Sequence, residues 1–171
     1  MTVECHGARN GRDAETGTIL VCMVNPADKQ VLSNDTLEGV LQEHGILPTQ
    51  QRLLIAAVLL ERQQHLSADQ VMHLVNGEEH LVSKATVYNT LGLFAKHGLI
   101  REVIVDPARV FYDSNTGSHH HFYNVDTGEL TDIDSGSMEI TELPVTPAGT
   151  VAAGVDIIIR VRRDPAATRV E

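Results

Sequence analysis

Ser83-Lys84-Ala85-Thr86-Val87-Tyr88-Asn89-Thr90-Leu91, running on to Lys96-His97-Gly98-Leu99-Ile100, carries two hydrophobic periods in succession. Up to Lys96 or His97 the pattern is helical: Ser83 opens the segment, Val87, Leu91 and Phe94 share one face, and Lys84, Tyr88 and Asn89 occupy another. Beyond Gly98 the period becomes two. Leu99 to Val105, the turn Asp106-Pro107-Ala108 and Arg109 to Asp113 predict a hairpin with proline at a turn position. A polar helix face followed by such a hairpin is the order of a winged helix-turn-helix, in which the helix enters the major groove and the hairpin, with Arg109 at its tip, lies on the backbone. Asn89 suits adenine, Tyr88 and Thr86 suit a thymine methyl or a phosphate, and Ser83 and Lys84 sit at the helix start where phosphate is met. The plainer reading of this helix is a surface element whose Tyr88 covers a neighbouring loop.

Upstream, three further helices are predicted. Asn34 or Asp35 caps the first, with Leu37, Val40 and Leu41 inward and Gly45 in the usual position after the end. Thr49 caps the second, whose buried stripe is Leu53, Ala56, Ala57 and Leu60 and whose exposed start holds Gln50, Gln51 and Arg52; His65 is placed at the end of this apolar helix. Ser67 caps the third, with Ala68, Val71, Met72 and Val75 inward and Gly77 closing it. Short helices joined by short loops pack as a bundle.

Downstream lies Ser118-His119-His120-His121-Phe122. In an extended segment His119 and His121 point to one face and His120 to the other. Two imidazoles on one face are half of a transition-metal site, and Asp113, Asp132 and His65 are the candidates to complete it. Nitrogen with carboxylate oxygen suits Fe(II), Mn(II) or Zn(II) rather than Ca(II). The alternatives are a solvated polar loop and an expression tag, the latter disfavoured by an internal position. His121 to Val125, the turn Asp126-Thr127-Gly128 and Glu129 to Ile133 predict a second hairpin, and Val155 to Val161 a further strand. So small a sheet would need a second copy of the chain to bury its Ile157 and Ile159 face.

The chain has 171 residues, 42% of them hydrophobic and 21% charged, enough for one large or two small domains. No apolar run reaches the length of a membrane span and no signal peptide opens the chain, which predicts a soluble, cytoplasmic protein without membrane contact. The two cysteines, Cys5 and Cys22, exclude a disulfide scaffold. A formal charge of −10 excludes indiscriminate phosphate binding, so any DNA contact needs a local positive face. Residues 1–32 read as a partly ordered extension, with Met23 an alternative translation start; 33–112 as the winged-helix domain; 113–163 as a small α/β dimerisation and sensing domain; and 164–171 as a disordered tail. The fold class is α+β.

Thr49-x-x-Arg52, His65-Leu66-Ser67-Ala68, Ala85-Thr86-Val87-Tyr88-Asn89-Thr90-Leu91 and Lys96-His97-Gly98-Leu99-Ile100, followed by a histidine cluster, resemble the ferric uptake regulators over about Ser33 to Arg163. The resemblance implies a homodimeric regulator of transcription that binds double-stranded DNA, with Arg52 and Tyr88 at DNA-contacting positions. It also implies a regulatory metal on His65, Asp113, His119, His121 and Asp132, the residues already grouped. A second family site has matches at His120 and Glu139. Asn124 and Thr127 stand where the family has paired structural cysteines, and Leu47 and Pro48 stand where many members carry basic residues.

Within that family, His119-His120-His121-Phe122-Tyr123 and Arg109-Val110-Phe111-Tyr112-Asp113 resemble the iron response regulator branch. That resemblance implies control of haem synthesis, iron storage and iron uptake genes, with haem as a ligand at His119 to His121; neither cysteine precedes a proline, so haem capture through a Cys-Pro motif is not implied. A peroxide-sensing repressor of the same family would use the same ligand types. A metal-dependent hydrolase could also use two histidines and an aspartate, but it would leave the groove-reading helix unexplained.

Overall fold

A computed structural model describes Gly11–Arg12, Ile19–Leu20, 33–107, 109–133, 136–164 and Ala166. Expectations for most of the N-terminal extension, including Cys5, Cys22 and Met23, and for most of the tail lie outside these residues, as does Ala108 of the first hairpin turn. The chain divides into two compact units, with the boundary between Thr116 and Gly117.

The first unit holds β1 (Gly11–Arg12) and β2 (Ile19–Leu20), which pair antiparallel, and then the helices α1 (Asn34–Glu43), α2 (Gln50–Leu60), α3 (Ala68–Asn76) and α4 (Lys84–Lys96). Ser33, not Asn34 or Asp35, caps α1: its Oγ accepts the Thr36 amide at 3.2 Å. Asp35 falls instead inside the first turn, where its charge favours the helix dipole. Thr49 and Ser67 cap α2 and α3 as predicted, Ser83 caps α4 rather than forming its first residue, and Ser67 forms a reciprocal capping box with Gln70. Two helices end alike. Gly45 and Gly98, at φ 69° and 70°, turn the chain so that Ile46 donates to the Leu41 carbonyl and Leu99 to the Phe94 carbonyl.

Leu37, Leu41, Leu53, Val71, Val75, Val87, Leu91 and Phe94 lie in one core. The buried part of α2 is wider than its predicted stripe: Ile55, Val58 and Leu59 are buried too, while Leu60 is only half-buried. This follows from packing, because α1, α3 and α4 all contact α2.

Against the helices, β3 (His65–Ser67), β4 (Arg101–Asp106) and β5 (Arg109–Asp113) form an antiparallel sheet in the order β3-β5-β4. The hairpin expected after Gly98 is therefore present, with a register shift between Ile104 and Asp106. His65 does not end an apolar helix. The helix stops at Leu60, and His65 lies in β3, where Leu66 is buried opposite Tyr112.

In the second unit, β6 (His120–Asn124) is central, with β7 (Leu130–Ile133) antiparallel on one side and β8 (Ile158–Val161) parallel on the other. The last strand is shorter than Val155 to Val161 because pairing begins at Ile158. Tyr123, Leu130 and Ile133 are buried, whereas Phe122 and Ile159 are exposed. Asn124 closes the turn after β6, its Oδ1 accepting the amides of Asp126 and Thr127 at 3.0 and 3.3 Å.

Candidate metal centre and nucleic-acid interface

In the second unit, His119 and His121 project to one face by strand alternation, and Asp132 sits opposite His121 in β7. Asp132 Oδ1 lies 3.2 Å from His119 Nε2 and 3.5 Å from His121 Nε2. The two rings meet edge to face, with centroids 4.6 Å apart. Both histidines are buried. His119 Nδ1 lies 2.9 Å from the Gly117 carbonyl. A carbonyl only accepts, so Nδ1 carries the hydrogen, and Nε2 is the ring atom that faces Asp132. Imidazole nitrogens converging on a carboxylate oxygen form a donor set of the kind that can hold a transition-metal ion. Donor atoms bound at about 2.1 Å to one transition-metal ion sit about 3 to 3.4 Å apart, close to the spacings found here.

The first unit holds a second group. His65 and Asp113 are paired across β3 and β5, with His65 Nε2 3.5 Å from Asp113 Oδ2. Asp113 is fully buried, and its Oδ1 also accepts the Asn115 amide at 2.8 Å. Arg101, which no sequence motif singles out, places Nε 3.6 Å from the same Oδ2. Its position opposite Asp113 is a matter of strand register, and nothing local in the sequence signals it.

His120 points to the other face, where its Nδ1 accepts the Ile157 amide at 3.4 Å. Glu139 lies exposed in an irregular segment, and neither residue belongs to a group of three or more metal-ligating side chains among the described residues.

On α4, Lys84, Tyr88 and Asn89 are exposed while Val87, Leu91 and Phe94 are buried, so the polar face is open to a partner. Lys84 Nζ lies 5.4 Å from the Tyr88 ring centre and 3.2 Å from Asp69 Oδ1 on α3. The Asp69 carboxylate, ahead of Tyr88, holds the Lys84 ammonium above its ordinary value. Ser83 and Thr86 share the cap of α4, their hydroxyl oxygens 2.9 Å apart. Arg52 turns back on its own helix start, its Nη1 donating to the Leu47 carbonyl at 2.7 Å. Arg109 is exposed at the start of β5.

A helical bundle with a winged sheet, followed by a small sheet carrying clustered imidazole and carboxylate donors, defines the class of metal-responsive transcription regulators. The sequence of residues 43–149 matches the ferric uptake regulator family. The chain belongs to this family, whose members are transcriptional regulators rather than enzymes and act on DNA as dimers. The peroxide operon regulator of Bacillus subtilis is 30% identical over 102 residues, 60% of this chain and 70% of that protein. The peroxide-responsive repressor of Staphylococcus aureus is 29% identical over 92 residues, 54% of this chain and 62% of that protein, so the chain spans less than two thirds of the latter. Two solved structures share the fold. The ferric uptake regulator of Pseudomonas aeruginosa with manganese superposes with a TM-score of 0.55 at 23% identity, covering 74% of this chain and 96% of that one. That of Francisella tularensis with iron gives 0.56 at 21% identity, covering 72% and 96%.

Proposed function

We infer that this chain is a DNA-binding regulator of iron homeostasis whose ligand is one divalent transition-metal ion, Fe(II) or Mn(II), with Zn(II) as an in vitro substitute. His119, His121 and Asp132 supply one share of the ligands, and His65 and Asp113 supply the other. The carrying observation is the convergence of the His119 and His121 imidazoles on the Asp132 carboxylate. When bound, the ion supplies a cross-link between residues far apart in sequence. His65 heads the strand that leads through the Ser67 cap into α3, so a tie at His65 bears on the domain that carries α4. In a homodimer this fixes the spacing of two recognition helices, and the ion favours the DNA-competent state through its differential affinity for it. Lys84, Tyr88, Asn89, Ser83 and Thr86 on α4, with Arg52 and Arg109, form the DNA-facing set. Control of haem synthesis, iron storage and iron uptake genes is the iron response regulator form of this reading.

The test is the double substitution His119→Ala with His121→Ala. It abolishes Mn(II)-dependent retardation of a genomic operator fragment while size-exclusion chromatography still reports a dimer. An unchanged metal response overturns the ligand assignment. Haem titration of the wild-type chain, followed by its visible absorption, separates haem from metal: the double substitution removes a haem signal that depends on the histidine run.

A second reading, peroxide sensing, draws support from the two relatives named above, both peroxide regulators. Mass spectrometry of Fe(II)-loaded protein after peroxide decides it. One added oxygen on a ligand histidine supports peroxide sensing, and unmodified histidines with retained DNA binding support iron sensing.

A further inference from the structure

His65, Asp113 and Arg101 form one row across the sheet β3-β5-β4, because His65 and Arg101 both pair with Asp113 from opposite sides. Residues directly opposite in antiparallel strands share a face, so the imidazole, carboxylate and guanidinium are aligned by register. One atom, Asp113 Oδ2, lies 3.5 Å from His65 Nε2 and 3.6 Å from Arg101 Nε. The Asp113 side chain is 1% exposed and that of Arg101 21%. A carboxylate this deeply buried is costly unless a positive charge accompanies it.

We propose that Arg101 sets the metal affinity of the regulator by occupying, as a fixed internal cation, the electrostatic place that the metal ion competes for at Asp113. The inference rests on the metal site proposed above. Arginine keeps its charge at all relevant pH values, so it cannot withdraw by losing a proton. In the metal-free chain the guanidinium offsets the buried carboxylate and holds the β4-β5 row together. When a divalent cation is bound by Asp113 and His65, the same guanidinium becomes a repulsive neighbour, and burial limits the salt screening that would soften the repulsion. One charge therefore stabilises the empty state and weakens the loaded one. The regulator stays folded without metal and releases its ion when the free concentration falls, which a sensor requires and a storage site does not.

The experiment measures Mn(II) affinity of the full chain by competition with a fluorescent chelator, together with thermal melting of the metal-free protein. Arg101→Gln tightens Mn(II) binding by about ten-fold, the scale on which outer partners of metal ligands act, and lowers the metal-free melting temperature by about 5 °C. Arg101→Lys, which keeps the charge, stays near wild type in both. In an Asp113→Asn background, Arg101→Gln no longer lowers the melting temperature, because no buried carboxylate is left to compensate. A merely structural arginine gives the opposite sign, with Arg101→Gln weakening Mn(II) binding as it loosens the fold; that result, or an unchanged affinity, overturns the proposal. Wild-type protein that takes up no Mn(II), Fe(II) or Zn(II) overturns the metal site itself, an outcome distinct from a wild-type site that binds but ignores Arg101.

Discussion

Asn76, at the end of α3, ties the loop before α4 with both ends of its amide: Nδ2 donates to the Val82 carbonyl at 3.0 Å and Oδ1 accepts the Val82 amide at 2.9 Å. Val82 itself is buried, so a lost partner would leave backbone groups poorly satisfied. Asn76→Ala is expected to cost about 2 kcal/mol in urea unfolding. Tyr112 offers a pH-dependent test. Burial pushes its phenol above the ordinary value, and Glu102, opposite it in the neighbouring strand, and then Tyr88 add to the shift. The folded chain thus keeps this phenol protonated to a higher pH than the unfolded chain does. Its contribution to stability is whole below about pH 10 and is lost as the pH rises above that value. Tyr112→Phe should flatten the loss of stability between about pH 9 and about pH 11, read from urea melts; an identical loss in both proteins would show that Tyr112 does not couple to folding.

Among the elements, α4 carries most of the proposed DNA-facing set, and its start is joined to that of α3. Asp69 in the first turn of α3 pairs with Lys84 in the first turn of α4, both exposed. If Lys84 meets DNA as proposed, the Asp69 carboxylate would compete with phosphate for the ammonium, in a chain of formal charge −10. Asp69→Asn should raise affinity for a mixed-sequence duplex by about three-fold at low salt in fluorescence anisotropy, and the gain should vanish in an Lys84→Ala background. A gain that persists without Lys84 would reduce the effect to net charge. The Ser67 capping box fixes the start of α3, and Ser67→Ala should cost about 1 kcal/mol. These helices were legible because 3.6-residue spacing and capping residues are local signals; at α1 three cap-forming residues, Ser33, Asn34 and Asp35, follow one another, so only the observed hydrogen bond to Thr36 selects Ser33.

For the whole molecule, removal of metal by a chelator should abolish operator retention while far-ultraviolet circular dichroism stays the same, since each unit has its own hydrogen-bonded sheet or helical core. Loss of helical signal on chelation would mean that the ion holds up the fold rather than switching it. The sequence determined the helices, the hairpin after Gly98 and the donor residues in the histidine run, because apolar period, capping chemistry and strand alternation are set within one element. It also marked the family through ordered motifs spread along the chain. Only the tertiary structure placed His65 in a strand, since His65-Leu66-Ser67 is too short to show alternation and becomes a strand by pairing with β5. Tertiary structure alone set Arg101 against Asp113 as well. Their proximity follows from antiparallel register around the Asp106-Pro107 turn, and charges brought together across a sheet leave no periodic trace along the chain.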